Sequence, residues 1–72
     1  MRTIEARRGY FRGTHKGYEI EIERDHEHHN KNFYIRVTSN LGEGMADYDG
    51  WAPDDVRTMP QAKREAILGA QL

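Results

Sequence analysis

The strictest pattern in the chain is Tyr18-Glu19-Ile20-Glu21-Ile22-Glu23, where apolar and acidic residues alternate without a break. A period of two belongs to a strand with one dry and one wet face, so Tyr18, Ile20 and Ile22 are expected inward and the glutamates outward. Phe33-Tyr34-Ile35-Arg36-Val37-Thr38 repeats the pattern, with Phe33, Ile35 and Val37 on the dry side. Upstream, residues 4–12 also read as a strand. Gly13-Thr14-His15-Lys16-Gly17, with a glycine at each end, reads as the turn of the first hairpin. Setting Arg12 opposite Tyr18 places Tyr10 against Ile20 in the core and Arg7 against Glu23 outside.

Residues 25–32, Asp25-His26-Glu27-His28-His29-Asn30-Lys31-Asn32, are entirely polar and read as a loop. Ser39-Asn40-Leu41-Gly42-Glu43 has turn chemistry. A weaker fourth strand is expected over residues 44–48, pairing Val37 with Ala46 and Ile35 with Tyr48, and ending at Asp49-Gly50. Beyond it Trp51 is expected to close the core at a corner, and Pro53-Asp54-Asp55-Val56 to form one helical turn. Thr58 and Gln61 have the spacing of a capping box, which starts a helix from Met59 to about Leu68, with Gly69 as its stop. Met59, Ala62, Ala66, Ile67 and Ala70 make a narrow apolar stripe on it, opposite Lys63, Arg64 and Glu65. The expected class is α+β: an antiparallel meander of three to four strands with one C-terminal helix packed on one face. The opposite face of the sheet is left to water or to a partner.

Composition makes this a single small domain, residues 1–72, with a thin core. Leu, Ile, Val and Phe together number only 12 of the 72 residues, although four Tyr and one Trp add apolar area. A core that thin favours self-association, because a second copy extends it. The 11 Lys and Arg nearly balance the 12 Asp and Glu, leaving a net charge of −1, which argues against a general polyanion binder. No cysteine is present to staple the fold or bind metal as thiolate. The N-terminal residues lack the apolar stretch of a secretory signal and no run approaches a membrane span, so a soluble cytoplasmic protein is expected, without membrane contact.

Three groups of residues raise the question of chemistry. His26, His28 and His29, beside Asp25 and Glu27, offer metal ligands. Adjacent loop residues seldom converge on one ion, however, so a solvated loop is the plainer reading, and no cofactor is expected. Arg7, Arg8, Phe11, Arg12, His15, Lys16, Tyr34 and Arg36 form a basic and aromatic set of the kind that stacks on bases and neutralises phosphates. In the register above, Phe11, Tyr34, Arg36 and Arg7 share the wet face, but the column Glu19, Glu21, Glu23 runs between them and opposes a phosphate. The candidate binding residues are therefore Arg7, Phe11, Arg12, His15, Lys16, Tyr34 and Arg36. The acids around Gly50 do not fit a calcium loop, since the glycine alignment puts Met45 at the first ligand position and Val56 at the last. Gly42-Glu43-Gly44 is too short for a nucleotide fingerprint, and Ser39 lacks the surroundings of a nucleophile elbow. No catalytic residue is assigned.

The function these observations support is a non-catalytic interaction protein whose partner is another protein or a second copy, most simply as a homodimer. The alternatives are a nucleic-acid accessory protein using the first hairpin, and a metal-binding protein using the histidine loop.

Overall fold

The computed structural model describes residues 1–25, 32–39 and 46–72. Residues 26–31 of the histidine loop and the expected turn residues Asn40 to Glu43, together with Gly44 and Met45, lie outside the described residues. The order is β1 (Arg2–Arg7), β2 (Tyr10–His15), β3 (Tyr18–Arg24), β4 (Phe33–Ser39), β5 (Ala46–Trp51) and α1 (Met59–Gly69). The five strands pair antiparallel in chain order, so the expected α+β meander with one C-terminal helix is the architecture observed.

The count is five because the first predicted strand is two. Arg7 pairs with Tyr10 across a two-residue turn at Arg8 and Gly9, and Gly9 sits at φ 76°, a left-handed conformation that glycine adopts without a Cβ penalty. The second turn is also shorter than expected. His15 pairs with Tyr18, leaving only Lys16 (φ 51°) and Gly17 (φ 82°) between the strands. Left-handed angles at both positions match the twist of the flanking strands and define a primed hairpin turn.

That tight turn corrects the register. Tyr10 lies opposite Glu23, Phe11 opposite Ile22 and Gly13 opposite Ile20, in place of the Tyr10–Ile20 and Arg7–Glu23 pairs. A change of odd step exchanges the two faces of a strand. Phe11 consequently points into the core at 1% exposure, and Tyr10 points outward. At the other side of the sheet, Tyr48 pairs with Val37 and Gly50 with Ile35, so β5 runs on through Asp49-Gly50 to Trp51. The observed ladder is thus two residues away from the expected pairing, and an irregularity between Val37 and Thr38 shifts it by one where Thr38 meets Ala46.

Burial follows alternation wherever a strand is central. Ile20 and Ile22 from β3 and Phe33, Ile35 and Val37 from β4 are buried, and they cluster with Ala62 and Ala66 of α1. The helix begins as its sequence dictates. Thr58 accepts a hydrogen bond from the Gln61 main-chain N–H at 3.3 Å, and Gln61 Oε1 accepts from the main chain of Thr58 at 3.1 Å and of Arg57 at 2.8 Å. Before it, Val56 N–H donates to the Pro53 carbonyl at 3.0 Å, closing the expected turn and burying Val56. Ala62 and Ala66 lack bulk, which lets the helix axis approach the sheet closely.

An α-helix is about 10 Å across and strands are spaced about 4.8 Å apart, so one helix roofs roughly two strands. Those two are β3 and β4. Beyond them the contacts include long side chains: the Lys63 ammonium lies 4.2 Å from the centre of the Phe11 ring on β2, and Glu65 accepts a hydrogen bond from the Tyr48 hydroxyl on β5 at 3.3 Å. β1 is exposed along its whole length.

Candidate interaction surface

On the face turned away from α1, side chains are ordered by register into rungs that cross the sheet. One rung runs Arg7, Tyr10, Glu23, Tyr34, Trp51 from β1 to β5. The next runs Glu5, Arg12, Glu21, Arg36, Asp49, with the sign of the charge reversing at every step. A third carries Arg2, Thr14, Glu19 and Thr38. Opposite charges on neighbouring strands each contribute about 0.2–1 kcal/mol relative to an alanine pair, whereas like charges repel. The alternating rung therefore sets opposite charges side by side on neighbouring strands, while the ion pairs Arg7–Glu5 and Arg12–Glu19, among the described residues, run from one rung to the next.

Local contacts connect one rung to the next. The Tyr10 hydroxyl donates to Glu21 at 2.7 Å, Arg12 reaches Glu19 at 3.5 Å, and the Tyr34 hydroxyl donates to Asp49. Arg7 Nε donates to Glu5 at 2.9 Å while its guanidinium lies 4.4 Å from the Tyr10 ring centre. The hydrogen bonds to Glu21 and Asp49 hold the Tyr10 and Tyr34 phenols above their usual pKa, with burial adding to the effect. Burial comes first for Tyr48, with the nearby Glu65 charge pushing the same way.

Trp51 is on this surface, not in the core. It is 52% exposed and packs edge-on against Tyr34, with ring centres 5.1 Å apart. Such a pair contributes about 0.5–1.5 kcal/mol beyond its buried area. The signal was present in the sequence as the continued alternation Asp47-Tyr48-Asp49-Gly50-Trp51, once Gly50 is accepted inside a strand.

The seven candidate binding residues are not brought together. Arg7, Arg12, Tyr34 and Arg36 share the open face, Phe11 is buried on the other, and His15 ends β2 opposite Tyr18. Lys16 turns away to the far end of the chain, its ammonium donating to the Leu72 main-chain oxygen at 2.8 Å. The face holds one shallow depression among the described pockets, about 250 Å³, lined by Glu19, Glu21, Arg36 and Thr38. Its two carboxylates and one guanidinium suit hydrogen bonding to mixed-charge groups; they do not suit a phosphate. His26, His28 and His29 lie outside the described residues. Among the described residues, no three His, Asp or Glu side chains converge as metal ligands, and no helix is long and apolar enough to cross a membrane.

No family model, curated protein or solved structure matches the chain.

Proposed function

We propose that this protein is a non-catalytic interaction module that associates with a second copy of itself. The observation that carries the reading is the mismatch between sheet and roof. Five strands share one eleven-residue helix that reaches β3 and β4, while all six residues of β1 are exposed and Ile4 among them stands 51% exposed. A small domain stabilises itself by extending such a sheet or its cover with another copy. The charge-alternating face, whose depression is lined by Glu19, Glu21, Arg36 and Thr38, supports recognition by a surface of matching pattern better than it supports catalysis, which favours an enclosed site.

The nucleic-acid reading is less well supported, because in the alternating rung Arg12 and Arg36 each have carboxylates on both neighbouring strands. Light scattering coupled to size-exclusion chromatography across a concentration series tests the proposal. The mass is expected to rise from the 8.4 kDa of one chain towards twice that value. A constant 8.4 kDa up to about millimolar concentration, where even weak specific pairs form, refutes it.

A further inference from the structure

We infer that two copies join through the outer edge of β1, antiparallel about a twofold axis at Ala6; this rests on the self-association proposed above and names its contact surface. The main chain selects that centre. Arg7 and Tyr10 close a two-residue turn, and a closing pair of that kind exchanges both its hydrogen bonds. The pairs Ala6–Phe11 and Glu5–Arg12 continue the ladder without a shift. Hydrogen-bonding direction alternates along a strand, so Arg7 and Glu5 use their main-chain groups on β2 and Ala6 turns its N–H and C=O outward. Two copies meeting at Ala6 then satisfy these groups reciprocally, and the small side chain leaves room for its twin at the axis.

The side chains select the same register. With Ala6 opposite the partner's Ala6, Glu5 of each copy lies opposite the partner's Arg7 on the wet face. Glu5 and Arg7 already touch within one chain at 2.9 Å, so the twofold axis generates four charges of alternating sign. The rung ending Arg36, Glu21, Arg12, Glu5 at each edge needs a cation next, and the partner's Arg7 supplies it. Centring the axis one residue earlier sets Glu5 against Glu5. Moving it between Ile4 and Glu5 sets Arg2 against Arg7. Both alternatives juxtapose like charges, which is destabilising. The irregularity in β1 falls between Thr3 and Glu5, outside the Glu5-Ala6-Arg7 segment that makes the contact. An isologous contact of this kind closes at two copies, whereas pairing β1 onto the β5 edge of the next molecule would grow without end.

The test uses the full chain at low ionic strength and three variants. Glu5→Arg alone and Arg7→Glu alone each place like charges opposite each other twice per dimer, and each is expected to weaken self-association about tenfold or more. A one-to-one mixture of those two variants restores both opposite-charge pairs and is expected to associate within about threefold of the wild type. The double swap Glu5→Arg with Arg7→Glu is expected to do the same, which excludes loss of folding as the cause. If the wild type associates but the single variants associate equally well, or the mixture and the swap stay monomeric, the β1 contact is wrong and the self-association reading survives. If the wild type is a monomer, both fail. A mass growing past two copies overturns the closed pair.

Discussion

Replacing Gly69 with alanine sets two effects of known size against each other. Gly69 is the last residue of α1, and alanine in a helix interior is favoured over glycine by about 1 kcal/mol, less at an end. Propensity alone therefore forecasts a more stable protein. The packing forecasts the reverse. A Cβ on Gly69 would lie 2.2 Å from Cε2 and 2.5 Å from Cδ2 of Tyr48, where carbon atoms rest at about 3.5–4.0 Å. More than an ångström of movement is required. The Tyr48 ring is packed against the buried cluster and its hydroxyl donates to Glu65. Turning the ring out forfeits roughly half of its area, about 100 Å², or roughly 2.5 kcal/mol. Lifting the helix end falls in the usual overpacking range of about 1–3 kcal/mol. With the propensity term subtracted, Gly69→Ala is expected to destabilise by about 1–2 kcal/mol, lowering the melting temperature by about 5–15 °C. Urea and thermal unfolding followed by circular dichroism measure this. Repeating the substitution in a Tyr48→Ala background isolates the contact. There the same change is expected to be neutral or stabilising by up to about 1 kcal/mol. A neutral or stabilising Gly69→Ala in the wild-type background, or an equal cost in both, refutes the reasoning.

Two further outcomes are expected. Gly13→Ala brings a Cβ to 2.5 Å from the Arg2 main-chain oxygen and 2.7 Å from Cζ of Phe11, so β1 must separate locally from β2, at about 1–3 kcal/mol. Amide exchange in β1 should accelerate selectively, and unchanged exchange there contradicts the steric account. The phenols of Tyr10, Tyr34 and Tyr48 all titrate above the ordinary value of 10.0 in the folded chain. The folded state thus holds protons that the unfolded state releases, so the associated stability is complete below about pH 10 and declines as pH rises beyond it. The urea midpoint should fall through that window, and less steeply in Tyr48→Phe; a midpoint rising with pH would sink the assignment.

Much of this molecule is legible from one dimension. The alternation in residues 18–23 and 33–38 determines which side chains of β3 and β4 are buried, because both strands are central and a single slip would turn every isoleucine to water. The Thr58–Gln61 spacing determines where the helix begins, since capping is satisfied by residues within one turn of each other. The candidate surface was less legible. Tyr34 and Arg36 fall where alternation puts them, but Phe11 and Trp51 do not.

The reason is that alternation fails where two apolar residues are adjacent. Tyr10-Phe11 is compatible with either face, and the choice belongs to the hairpin turn, whose two-residue length at Lys16-Gly17 brings Phe11 opposite Ile22. Glycine at position 50 reads locally as a strand end, yet β5 continues through it because its main chain stays in the ladder opposite Ile35. That continuation carries Trp51 outward to Tyr34. The order of charges across five strands is likewise absent from any single segment. It exists only once four registers are set together, by the burial of the opposite face. Sequence alone determined the class, the inner residues of the central strands and the helix start, all of them local or periodic. Tertiary structure decided the registers, and through them which residues a partner meets.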